Sequence, residues 1–192
     1  MKQKKTNRVS AHEVVPLIVD RWSPRALSGE TISQEALYSL FEAARWAPSS
    51  YNNQPWHFIY AYRDTPAWKK LFDLMVPFNQ EWAQRAAVLI VLVSHTKFEN
   101  GKPSRTHSFD TGAACQNLAL QGTSMGLVVH GMEGFDYDHA RTTLNIPSDY
   151  AVEAMFAVGK PGDISILPSE MQKQEVPSDR KPIEKFIHEG TF

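Results

Sequence analysis

The apolar positions of this chain change their spacing repeatedly, and each change marks an element. Ala36, Leu37, Leu40, Phe41 and Ala44 recur at i, i+3 and i+4, which gives a helix one apolar face. Ser33 is placed to cap that helix, Ile32 and Leu37 to staple its entry, and Pro48 falls just past its end. Pro16 would break a helix running from Ser10, so an earlier helix is expected to start near Pro16. The aromatic and β-branched run "WHFIYAY", Trp56 to Tyr62, predicts a strand, and Thr65 with Pro66 suits the N-cap and first turn of a following helix. "AVLIVLVS", ending at Ser94, has no polar alternation and predicts a central strand buried on both faces. A helix capped by Ser108 or Asp110 and reaching about Met125 is rich in small residues, which suits close approach to another helix. "LVVH" is a short strand, Asp136 caps a helix ending near Leu144, and "AVEAMFAVG" is the last strand. From Pro161 the periodicity fades for roughly thirty residues, a long tail for a compact domain. Its apolar Ile183, Phe186, Ile187 and Phe192 argue that it embraces something, and a partner subunit is the obvious object.

Composition narrows the function classes. A chain of 192 residues, 42% hydrophobic, fits one domain with one sizeable core. Lys plus Arg at 20 against Asp plus Glu at 21 leave a net charge of −1, so no global field steers the protein to nucleic acid or an anionic membrane. The longest apolar run, Ala86 to Val93, is far short of a membrane span, and the basic start has no apolar stretch behind it. A cytoplasmic protein is expected. The single cysteine, Cys115, excludes an intramolecular disulfide and reads as a buried packing thiol. The seven histidines make no ligand spacing, so no metal is expected.

Four stretches carry candidate chemistry. In "RWSPR", Arg21 to Arg25, two guanidinium forks flank Ser23 and can grip a phosphate, although a solvated helix stop would read the same way. "PSSYNNQPW", Pro48 to Trp56, crowds Ser49, Ser50, Asn52, Asn53 and Gln54 between two prolines. Donors and acceptors together suit a planar heterocycle with imide edges, and equally suit an ordinary turn. Asn79 sits among aromatic neighbours as helix cap or ligand reader. "GMEGFD", Gly131 to Asp136, follows a strand with two glycines that let backbone N–H groups approach a ligand.

In this order, "RWSPR", "APSSYNNQPWHF", Asn79, "FDTGAACQNLALQGTSMGL" and "MEGFD" resemble the nitroreductase-like FMN-dependent oxidoreductases over about residues 14 to 183. The resemblance implies an α+β fold with a central mixed, largely antiparallel sheet flanked by helices. It also implies an intertwined homodimer with two FMN sites at the interface. The expected division is a flexible segment over 1–13, an FMN-binding domain over 14–162 and an extension over 163–192 that wraps the partner. By the same resemblance Arg21, Trp22, Ser23 and Arg25 hold the phosphate, ribityl chain and N1/O2 edge of FMN. Pro48, Ser49, Ser50 and Asn52 come from the partner subunit, with Gln54 holding their loop. Asn79 reads the pyrimidine edge, Glu133 and Gly134 offer backbone N–H groups near N5, and Gly131 and Met132 also line the cofactor. Arg180 in "PSDRKP", with Lys181 beside it, supplies a C-terminal phosphate contact, while Ser178 stands where some relatives have lysine.

The implied activity is ping-pong hydride transfer from NADH or NADPH, a transient reductant, through flavin N5. The implied acceptors are nitroaromatics, quinones or activated alkenes, with Phe78 and Trp82 as candidates for the acceptor face. No Gly-x-Gly-x-x-Gly follows a strand, so a separate nicotinamide module is not expected. Two alternatives stand beside this. One is an FMN-binding or scavenging protein with little turnover. The other is a serine hydrolase built on "GTSMG", with Ser124, then Asp136 or Asp149, then His188; it requires a strand, turn and helix around Ser124.

Overall fold

The computed structural model describes residues 8–192, so residues 1–7 of the expected flexible segment lie outside the described residues. Four strands, β1 (Trp56–Tyr62), β2 (Val88–His95), β3 (Val128–Met132) and β4 (Tyr150–Gly159), form one sheet in the order β1-β2-β4-β3. Every pairing among them is antiparallel, so no parallel pair of a mixed sheet occurs among the described strands. β2 lies inside the sheet because its sequence admits no wet face. Leu89, Val91 and Val93 enter one core and Val88, Ile90 and Leu92 the other, as the period of two requires.

Helices cover both faces: α1 (Pro16–Asp20), α2 (Gln34–Arg45), α3 (Trp68–Phe72), α4 (Pro77–Ala83), α5 (His107–Ser124), α6 (Tyr137–Thr143) and α7 (Ser169–Gln174). Leu37, Leu40 and Ala44 of α2 bury with Ala114 and Leu118 of α5 on one face. Leu71 of α3, Trp82 of α4, Ala140 of α6 and Met171 of α7 bury on the other. Each fully buried leucine contributes about 2 kcal/mol relative to exposure. The Ser33 hydroxyl accepts the Ala36 N–H at 3.1 Å and fixes the start of α2. Gly122 lets α5 sit on β3, since a Cβ there would lie 2.4 Å from Val129 Cγ2.

Two helix starts differ from expectation. The Thr65 hydroxyl donates back to the Tyr62 carbonyl at 2.7 Å and closes the turn after β1, so α3 begins only at Trp68. α5 starts at His107 with no side-chain cap: the Ser108 hydroxyl donates to Glu153 at 2.6 Å, and Asp110 lies one turn inside the helix. The tail also divides. Leu167 and Met171 pack into the chain's own core, whereas Ile183, Phe186, Ile187 and Phe192 are exposed.

Candidate functional site

The loop after α1 is held by side chains from three distant segments. The Arg21 guanidinium donates to the Ser23 hydroxyl at 3.2 Å, and the Pro24 carbonyl lies 3.0 Å from His130 Nδ1 on β3. The next two N–H groups, of Arg25 and Ala26, both donate to Glu175 Oε1, at 2.6 and 2.8 Å. Arg25 Nη1 lies 3.9 Å from the other Glu175 oxygen, and the guanidinium stands 5.8 Å from the Phe78 ring centroid. Arg25 Nε is buried without a protein partner. Trp22 is half-buried beside this loop.

Positive charge gathers here. Burial pulls the Arg21 guanidinium below its usual range, and the nearby charges of Arg180 and Arg8 pull it further. None of these three arginines forms an ion pair with a carboxylate among the described residues. Like charges assembled this way oppose folding unless an anion joins them, which makes the loop a candidate anion site. Lys181 is exposed, and Ser178 accepts from Arg180 at 3.2 Å. Cys115 is sensed by Arg21 as well, but burial pushes its thiol up to about 11, so it is no nucleophile at neutral pH.

Asn79 and the β3–α6 loop join the arginine loop through the rings between them. Trp82 packs 4.4 Å from His130, and its indole N–H donates to Asn79 Oδ1 at 3.3 Å. Asn79 Nδ2 donates to the Gly134 carbonyl at 3.0 Å, leaving one amide proton for another acceptor. A Cβ on Gly134 would stand 2.7 Å from that nitrogen, so the contact needs glycine. The Glu133 and Gly134 N–H groups have no hydrogen-bond acceptor among the described residues. Gly131 is exposed, whereas the Met132 side chain is buried in the core. Trp82 is also fully buried, because its ring fills the core behind β3, so of the two expected acceptor-face aromatics only Phe78 reaches the surface.

The "PSSYNNQPW" loop is built differently. Tyr51, Asn52 and Gln54 hold φ of 51°, 57° and 47°, a left-handed conformation that costs tyrosine and glutamine free energy. The Gln54 N–H donates to the Ser49 hydroxyl at 3.0 Å and its amide to the Asn52 carbonyl at 3.1 Å, while the Ser50 N–H reaches the buried Asp110 at 3.1 Å. The Asn53 amide donates to the Lys97 carbonyl at 3.4 Å. Pro48 and the Asn52 side chain face outward. The loop borders a cleft of about 800 Å³ with Phe98, Asn100 and Lys102. Within the described chain it makes no hydrogen bond or ring contact with the arginine loop.

Sequence reasoning missed four supporting residues. Glu175 gave no signal, being one acid in a polar tail; Arg8 stood in a segment expected to be flexible; Asp110 read as a cap; His130 read as the end of a strand. His130 carries a pH consequence. Burial, reinforced by Arg25 and Arg21, depresses its imidazole to about 4 from 6.5. The folded protein therefore binds fewer protons than the unfolded chain between those values, and stability rises with pH there and levels off above 6.5. Urea denaturation is expected to show a loss approaching about 3 kcal/mol between pH 7 and pH 4 from this residue, with the slope reduced in His130→Asn.

The hydrolase geometry is absent. Ser124 ends α5, its hydroxyl donates to the Gln121 carbonyl at 2.7 Å, and Gly126 with φ 71° turns the chain toward β3. Among the described residues no group of three acids, histidines or cysteines is placed to hold a metal, and no helix is long and apolar enough to cross a membrane.

The nitroreductase family model matches residues 18–76 and 63–160, three quarters of the chain. The chain belongs to the nitroreductase family. A nitroreductase-family relationship also appears in an Archaeoglobus fulgidus protein whose name pairs NADH dehydrogenase with NAD(P)H nitroreductase. It is 30% identical over 155 residues, 79% of this chain and 87% of the relative. A Thermus thermophilus NADH dehydrogenase is 27% identical over 199 residues, covering 87% of this chain and 91% of its own. Among solved structures, an oxidoreductase containing FMN superposes with a TM-score of 0.94 at 43% identity, over 100% of this chain and 98% of the other. The nitroreductase match includes the arginine loop and Gly131–Gly134, whereas Arg8, Glu175 and Arg180 lie outside it.

Proposed function

We propose that this protein is an FMN-dependent NAD(P)H oxidoreductase of nitroreductase type. The observation that carries the reading is the arginine cluster: a half-buried Arg21 with Arg8 and the exposed Arg180 near it, none of them in an ion pair among the described residues, together with a serine hydroxyl and two backbone N–H groups that find no acceptor among those residues. That donor set fits a flavin mononucleotide, with an anion at one end and acceptor edges at the other. The FMN-containing structure at 43% identity supports the same cofactor.

Arg21, Ser23 and Arg180 would hold the phosphate, and Arg25 would present positive charge to the N1/O2 edge. The free Asn79 proton and the Glu133 and Gly134 N–H groups would receive the ring's acceptors. Bound FMN supplies hydride acceptance from NADH or NADPH and its delivery to an acceptor. The chain's own residues orient the ring and keep charge of the right sign beside it. Nitroaromatics, quinones and activated alkenes are the acceptor classes this chemistry admits.

The second half of the site would come from a second copy. The Pro48, Ser49, Ser50 and Asn52 loop is pre-shaped by backbone strain yet bonded only to its own surroundings in this chain. An open groove of about 1000 Å³ lined by Tyr38, Phe41, Trp46, Phe58 and Tyr60, and the exposed apolar tail, offer a homodimer its surface. The domain boundaries at 14 and 162 and a cytoplasmic setting belong to the same proposal, the latter in keeping with a single, half-buried free cysteine. The test is turnover. FMN-loaded protein should oxidise NADH or NADPH rapidly only when a nitroaromatic or quinone is present; tight FMN binding without such oxidation would leave a flavin-binding protein instead.

A further inference from the structure

Resting on that flavin site, we infer that Arg8 is a further phosphate-binding residue, clamped into the cluster from outside the family's matched region. One nitrogen of its guanidinium, Nη1, is spent on the fold: it donates to the Val19 carbonyl at 3.2 Å and the Arg21 carbonyl at 2.9 Å. These bonds lock Arg8 onto the backbone of the first arginine of "RWSPR". Among the described residues the rest of the fork has no acceptor: Nε is buried without a partner, and Nη2 makes no hydrogen bond.

Its neighbours agree. Burial and the charge of Arg180 pull the Arg8 guanidinium below its usual range, with Asp179 offsetting part of this, and burial, Arg180 and Arg8 do the same to Arg21. A purely structural peg at the end of α1 needs hydrogen-bond donors and not a third positive charge, since a neutral amide would serve the two carbonyls. A dianionic phosphomonoester instead accepts several charge-assisted hydrogen bonds, and a guanidinium fixed in advance loses little side-chain freedom in making them.

Phosphate and ring contributions separate by titrating apo-protein with FMN and with riboflavin, which lacks the phosphate, and following flavin fluorescence. Arg8→Ala is expected to weaken FMN binding about tenfold while leaving riboflavin binding unchanged, and Arg8→Lys to recover much of the loss. The difference between wild type and Arg8→Ala should shrink as salt is raised. Should Arg8→Ala not fold, Arg8→Gln keeps donors for the two carbonyls and carries the same comparison. FMN affinity equal to wild type, or equal losses for FMN and riboflavin, would overturn the inference and leave the flavin site standing. A wild-type protein that binds neither flavin would instead remove the proposed function itself.

Discussion

Arg21→Ala is expected to abolish retention of FMN through purification, with affinity lowered about 100-fold. Beyond the effect of burial, the charges of Arg180 and Arg8 both act on this guanidinium, which is bonded to Ser23. Its removal would delete one of the positive charges proposed to hold the phosphate while the backbone carbonyl that Arg8 uses stays in place. The same substitution should leave the flavin-free protein as stable as wild type or more so, because it relieves repulsion among like charges. Flavin fluorescence titration and thermal melting of the apo-protein read the two effects separately. A variant that loses stability and binding together would mean that Arg21 braces the fold and that its charge is incidental.

Glu175→Ala is expected to cost about 2–4 kcal/mol. The carboxylate is buried and accepts two consecutive N–H groups of the arginine loop across 150 residues of sequence. Alanine would leave both donors without an acceptor and remove the charge that faces Arg25. Glu175→Gln keeps a carbonyl for the same N–H groups, so its cost should be clearly smaller. Urea denaturation decides between them. Equal stability of Glu175→Ala and wild type would show that the loop does not depend on this clamp. Because the loop also carries Arg21 and Ser23, FMN affinity should fall with stability in the alanine variant.

How legible the molecule was depends on the range of each interaction. α2, β1, β2 and β4 were readable because periodicity and capping act within a few residues: Ser33 caps where it should, and β2 buries both faces. The errors at Thr65 and Asp110 have one cause. Each side chain found a partner that competes with capping, the Tyr62 carbonyl for Thr65 and the Ser50 N–H for Asp110. The arginine loop, Asn79 and the Gly131–Gly134 turn stood out as candidate chemistry, but by residue type alone a helix stop, a cap or a turn read the same way, and only their order along the chain, through the family resemblance, gave them roles. Their supports were not legible. Glu175, His130 and Arg8 act over separations that a one-dimensional pattern does not encode. Met132 and Trp82 show the reverse: neighbours in sequence of true surface residues, they are turned into the core by strand and helix geometry.

The measurement that bears most directly on the central claim is an absorbance spectrum of FMN-reconstituted protein during anaerobic addition of NADH, then of NADPH. The account predicts a protein-bound flavin band that bleaches with one of these donors and returns when a quinone or nitroaromatic is added. A protein that cannot be reconstituted with FMN, or whose bound flavin is untouched by both donors, would contradict it.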